Sequence, residues 1–188
     1  ARRGWQRFWL VDPLDGTREF LKRNGEFTVN IALVDAGVAV FGVIQQPVTG
    51  ALWHGAPGNG AFHRTTAGDD VALQTRVPAA APLRVAASRS HRDARTQALL
   101  DALPAHETHA CGSSLKFCRI AEGEIDLYPR FGPTSEWDTA AGQAILEAAG
   151  GVVLDPRGRP FRYNQREDLL NGDFIALGDP ALHAVLPA

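Results

Sequence analysis

A layered α+β/α/β sandwich is the fold class that this 188-residue chain predicts. Three observations predict it. Up to residue 77 short apolar runs alternate with tight turn signals, as in a meandering antiparallel sheet. The segment V-P-A-A-A-P at 77–82 then breaks the pattern. Beyond it, strand-like runs alternate with helix-length segments, which argues for an α/β lobe. The expected units are an α+β subdomain over 1–77 and an α/β subdomain over 82–188, joined by a linker at 78–81.

Each element has its own signal. Residues 8–12 read as a buried strand, and 16–23 as a short helix ended by Asn24-Gly25. Residues 27–34 are apolar enough for a central strand, Asp35-Ala36-Gly37 is a hairpin turn, and 38–44 return as its partner. Two more short strands are expected at 51–54 and 60–64. After the linker, 83–87 reads as a strand and 92–103 as an amphipathic helix, with Ala98, Leu99, Ala102 and Leu103 on one face. A strand precedes Cys111; 114–122 is helical, 125–128 a strand, 138–149 a helix and 151–155 a strand. There is no internal repeat.

Composition narrows the function classes. A net charge of -2 and a pI near 6.3 give no reason to expect a nucleic-acid polymer or a membrane surface as partner. No apolar stretch reaches spanning length, and Arg2-Arg3 does not begin a secretion signal. Cys111 and Cys118 read as small reduced residues rather than a disulfide framework, so a cytoplasmic location is expected. The six histidines are scattered, with His106 and His109 the nearest pair. The chain contains no Met, and truncation of a longer protein is the expected reason.

The chemistry concentrates in Trp9-Leu10-Val11-Asp12-Pro13-Leu14-Asp15-Gly16-Thr17. Pro13 restricts Asp12 to an extended conformation, and the chain then bends so that Asp12, the Leu14 carbonyl and Asp15 can converge. Three oxygen ligands from so short a segment suit magnesium, which takes carboxylates, waters and substrate phosphate. The amides of Gly16 and Thr17 then fall at a helix start, where unpaired donors favour an anion. The Thr17 hydroxyl could hold an attacking water. The alternative is a plain turn, with Asp15 capping the following helix.

A second acidic element, Glu136-Trp137-Asp138-Thr139-Ala140-Ala141-Gly142, opens the 138–149 helix. Asp138 is either part of a capping box with Ser135 or the third carboxylate of a two-metal phosphate site. No nucleophile elbow, Walker loop or phosphate-cradling cysteine is present, so direct attack by water is expected.

W-L-V-D-P-L-D-G-T followed by W-D-T-A-A-G resembles the inositol-monophosphatase superfamily of magnesium-dependent phosphatases. Within it, R-N-G-E-F-T-V-N-I-A-L (23–33) and G-S-S-L-K-F-C…A-E-G…L-Y-P-R-F-G-P-T (112–134) resemble the 3′(2′),5′-bisphosphate nucleotidases of CysQ type. The resemblance implies the sugar-phosphatase sandwich, with its N-terminal helical segment missing from this chain. It implies that Asp12, the Leu14 carbonyl, Asp15 and Asp138 bind two or three Mg2+ ions. It also implies that Thr17 helps activate water and that the Gly16 and Thr17 amides hold the scissile phosphate. A further family glutamate from an N-terminal helix has no match here; Glu19 and Glu26 are not in the equivalent position.

Substrate choice rests on the segment before the second motif. The inositol-specific branch carries a glutamate near the position of Arg130; a guanidinium there suits a second phosphate instead. Lys116, after the Gly112-Ser113-Ser114 loop, could hold that phosphate or the ribose, with Ser113 and Ser114 as substrate contacts or helix caps. Lys116 and Arg130 as ordinary surface charges is the alternative. Arg18, Lys22 and Arg23 read as a solvated face that could also steer an anion. Phe131 and Tyr163 could stack on adenine, with core packing the default. The expected reaction removes the 3′-phosphate of adenosine 3′,5′-bisphosphate, giving AMP and phosphate, with 3′-phosphoadenylyl sulfate a second substrate. The partner is thus a small phosphorylated nucleotide, met by a monomer or homodimer. Rivals are inositol-monophosphate or fructose-1,6-bisphosphate hydrolysis, or a non-catalytic metal and phosphate binder.

Overall fold

The computed structural model describes residues 2–87 and 94–186. Its first sheet holds β1 (Arg7–Asp15), β2 (Thr28–Asp35), β3 (Val38–Gln45), β4 (Leu52–Ala56), β5 (Gly60–Arg64) and β6 (Asp70–Ala72). They pair antiparallel in sequence order, as a meander. The β2–β3 turn falls at Ala36 and Gly37, both with positive φ (49° and 77°). That is the backbone twist a tight hairpin requires. Along β2 the buried residues alternate: Thr28, Asn30, Ala32 and Val34 face inward.

The strand expected to stop at Asp12 continues to Asp15. Asp12 pairs with Asn30 and Asp15 with Thr28, so Pro13 and Leu14 together oppose Val29 alone. A bulge on an edge strand accommodates a proline, because its missing N–H faces no partner. The six-residue helix α1 (Thr17–Lys22) follows at once, with Gly16 (φ 84°) at its N-cap.

The second sheet holds β7 (Leu83–Ala86), β8 (His106–His109), β9 (Leu127–Arg130), β10 (Val152–Leu154) and β11 (Phe174–Leu177), in the order β10-β11-β9-β7-β8. β7 runs parallel to β8 and β9, whereas β11 is antiparallel to β9 and β10. Helices α3 (Leu115–Ala121) and α4 (Glu136–Ala148) pack on each other. α4 lies against strands β1 to β5 of the first sheet and β10 of the second, while α3 touches β9. One apolar cluster therefore joins both sheets through Trp53, Phe117, Ile145, Tyr163 and Phe174. A second, with Val85, Leu99, Leu100, Leu127 and Leu177, seats α2 (Ala94–Ala102).

Several expectations shift. The first two residues of the expected 92–103 helix, Arg92 and Asp93, lie outside the described residues. Its buried face is Thr96, Leu99, Leu100 and Leu103; Ala98 and Ala102 are exposed, since α2 meets the second sheet along its leucines. The 125–128 strand lies two residues later, at Leu127–Arg130; just before it the Asp126 side chain pairs with Arg76 and Arg84. The last helix starts at Glu136, two residues earlier than expected. Strands β6 and β11 and a 3-10 segment at Pro180–Val185 were not expected. Among the described residues no helix is long and apolar enough to cross a membrane.

Glycine sets the depth at which α4 sits. A Cβ on Gly42 of β3 would lie 2.3 Å from the Ala141 carbonyl oxygen, and one on Gly142 would lie 2.4 Å from the Phe117 ring. Backbone against backbone cannot yield by rotamer change, so Gly42→Ala should lower unfolding free energy by about 1–3 kcal/mol, the range for overpacking. Chemical denaturation measures it; an unchanged midpoint would show that α4 sits further from β3.

Candidate active site

The β1 bulge and the first turn of α4 bring three carboxylates together. Asp12, Asp15 and Asp138 each offer one oxygen, and these atoms all lie within 4.8 Å of one another. Burial raises the Asp12 pKa, against a hydrogen bond from the Leu14 N–H (3.0 Å), with the Asp15 charge adding to the rise. Burial likewise pushes Asp138 up to about 6, helped by the Asp15 and Asp12 charges and opposed by a 2.7 Å hydrogen bond from the Ser135 N–H. Like charges this close resist ionisation unless a cation neutralises them. An all-oxygen donor set of this kind fits a hard divalent ion.

Asp15 is held by several protein donors. Its Oδ2 accepts from the Ser114 N–H and hydroxyl (both 2.6 Å), the Asn30 amide (3.3 Å) and the Thr28 hydroxyl (3.4 Å). It does not cap α1, whose N-cap is Gly16 with no side-chain cap bond. Asp138 accepts the Ser135 N–H of the capping box and also lies in the acidic cluster.

Asp15 and Asp138 open onto a cavity of about 850 Å³. Asp15, Gly16, Ser113, Ser114, Lys116, Arg130 and Asp138 all line it. Asp12 is nearly buried, Leu14 is half-buried, and Thr17 is exposed at the first position of α1. Gly16 is pressed close: a Cβ there would stand 3.1 Å from Ser113 Cβ and 3.2 Å from the Glu26 carbonyl oxygen.

Residues 1–186 match the inositol monophosphatase family. The chain belongs to that family. It is 52% identical over 174 residues to the 3'(2'),5'-bisphosphate nucleotidase CysQ of Escherichia coli K12, covering 93% of this chain and 69% of that protein. The crystal structure of CysQ from Bacteroides thetaiotaomicron, described as a bacterial member of the same family, superposes with a TM-score of 0.85 at 44% identity. It covers 94% of this chain and 71% of that one. An inositol monophosphatase from Zymomonas mobilis matches with a TM-score of 0.78 at 28% identity, over 97% of this chain and 71% of that one. The layered sandwich and the family expected from the two motifs are thus both borne out.

Within this family fold the cavity wall carries an uneven distribution of charge. Lys116 is buried: its Nζ donates to the Ser113 carbonyl (2.9 Å) and sits 5.1 Å over the Tyr128 ring. It is no ordinary surface charge. Arg130 donates through Nη2 to the Pro133 carbonyl (3.1 Å), while its Nε is buried with no hydrogen-bond partner among the described residues. Arg18 and Lys22, though exposed, also line the cavity; Arg23 caps the end of α1 instead. Glu26 accepts the Gly112 N–H (3.0 Å), tying the loop before α3 to the segment after α1.

Tyr163 is fully buried and donates to Gln143 Oε1 (2.7 Å), and Phe131 lies under the Arg95 guanidinium (5.3 Å) against the second cluster. Both are packing residues here. Cys111 and Cys118 are free thiols whose pKa values burial raises. No histidine joins the acidic cluster among the described residues. Sequence reasoning missed Thr28, Asn30 and Tyr128. The first two had a signal: polar residues on the inward face of an alternating strand need a buried partner.

Proposed function

We propose that the chain carries the active site of a magnesium-dependent bisphosphate nucleotidase that removes the 3′-phosphate of adenosine 3′,5′-bisphosphate, giving AMP and phosphate. 3′-Phosphoadenylyl sulfate would be a second substrate. One observation supports this reading most: the acidic cluster opens onto the cavity that also holds the buried Lys116 and the partly unsatisfied Arg130. A site with negative charge at one wall and cations at another suits a substrate with two phosphates.

Asp12, the Leu14 carbonyl, Asp15 and Asp138 would hold the magnesium ions. Bound there, magnesium lowers the pKa of water and neutralises charge on the phosphate oxygens. The chain's own groups do the rest. The Gly16 and Thr17 amides hold the scissile phosphate, and the close approach and positive φ at Gly16 disfavour a side chain there. The Thr17 hydroxyl orients the attacking water. Lys116 and Arg130 take the second phosphate, the guanidinium through paired N–H groups, and Ser113 faces the ribose. Water attacks phosphorus directly: the new P–O bond forms as the P–O3′ bond breaks, the water gives up a proton to solvent, and the departing 3′-oxygen takes one up from solvent.

The test is phosphate release from adenosine 3′,5′-bisphosphate with Mg2+ and with chelator. Release should require Mg2+ and return when Mg2+ is added back after chelation. Phosphate release that persists in chelator would contradict the metal role. Saturable metal binding with no hydrolysis would instead mark a non-catalytic binder.

A further inference from the structure

We infer that Ser114 is a positioning residue that fixes the spacing of the acidic cluster and does not act on substrate. The inference deepens the reading above and rests on it for the role of Asp15 and Asp138. Ser114 is 2% exposed, at the junction of the Gly112-Ser113-Ser114 loop and α3. Its hydroxyl lies 2.6 Å from Asp15 Oδ2 and 2.8 Å from the backbone oxygen of Asp138. The same oxygen accepts the Asn30 amide at 2.9 Å, and the Ser114 N–H donates a second 2.6 Å bond to Asp15.

The hydroxyl has one proton and two acceptor lone pairs. The proton is shared between two protein acceptors, Asp15 Oδ2 and the Asp138 backbone oxygen, and one lone pair takes the Asn30 amide. No proton is left to donate to a phosphate oxygen, although the residue borders the cavity. Nor does it cap its helix, since α3 has no side-chain cap bond.

What the hydroxyl joins matters more. Asp15 comes from the end of β1 in the first sheet and Asp138 from the start of α4, 123 positions later in sequence. Ser114 bridges these two arms, and Asn30 contacts both Asp15 (3.3 Å) and Ser114. Both are buried. Groups that orient metal-binding carboxylates commonly set metal affinity.

The experiment compares Ser114→Ala with the parent chain by calorimetric titration with Mg2+ alone, and separately by the nucleotide KM at saturating Mg2+. Removing the hydroxyl should weaken Mg2+ binding by about 10- to 100-fold, leave KM within about twofold, and allow high Mg2+ to recover most of kcat. Ser114→Thr, which keeps the hydroxyl, should restore the Mg2+ affinity. Unchanged Mg2+ affinity with a raised nucleotide KM would overturn the inference and make Ser114 a substrate contact. If Ser114→Ala does not fold, Asn30→Ala serves: it should weaken Mg2+ binding several-fold, and no change would count against the inference. Absence of saturable Mg2+ binding by the parent chain would instead overturn the underlying metal reading, so the two failures are distinguishable.

Discussion

Asp138→Asn should abolish most phosphatase activity while making the metal-free protein more stable at neutral pH. With Asp138 as a proposed metal ligand, its loss should lower kcat/KM by at least about 100-fold, since losing even an outer partner of such a ligand can do so. The stability gain follows from electrostatics. Burial and the charges of Asp15 and Asp12 hold the Asp138 pKa at about 6, above its ordinary 3.8. A carboxyl raised in this way contributes stability that is fully present below pH 3.8 and is lost as pH rises through about 6. The advantage of Asp138→Asn over the parent should therefore be absent at low pH, grow through that window, and be largest above it. Thermal melts in chelator across pH measure this, and saturating Mg2+ should erase the advantage. A flat difference across pH would mean that the three carboxylates do not repel one another as the geometry requires.

Arg130→Glu should reverse substrate preference. Arg130 carries a buried Nε with no hydrogen-bond partner among the described residues and lines the same cavity as Lys116. Each charge-assisted hydrogen bond is worth about 1.5–3 kcal/mol. Replacing the guanidinium by a carboxylate should then lower kcat/KM for adenosine 3′,5′-bisphosphate by about 100-fold or more, with much smaller effects on inositol monophosphate or fructose 1,6-bisphosphate. Parallel phosphate-release assays on the three substrates decide it. If the parent chain already prefers a sugar phosphate, the nucleotide assignment is wrong whatever Arg130 does.

Much of this was legible from local signals. The meander was readable because its strands alternate and their turns carry Asp35-Ala36-Gly37-type punctuation, and the acidic cluster because two short motifs hold all three carboxylates. What escaped was set by tertiary partners. Pro13 reads as a strand end, yet the bulge opposite Val29 carries the strand on to Asp15. Strand β11, Phe174–Leu177, is buried on both faces and shows no alternation to mark it. Ala98 looks as apolar as Leu99, but only contact with the second sheet decides which is covered. At the site, the residue types of Ser114 and Asn30 were visible while their common target, Asp15, lies far away in sequence and appears only once the sheets and helices are assembled.

Titration of the metal-free chain with Mg2+ by calorimetry asks whether Asp12, Asp15 and Asp138 together form a divalent-cation site. Saturable binding is expected in the parent, with proton release near pH 6 where Asp138 is still partly protonated, and its loss in each of Asp12→Asn, Asp15→Asn and Asp138→Asn. Saturable binding that survives all three substitutions, or none in the folded parent, would contradict it.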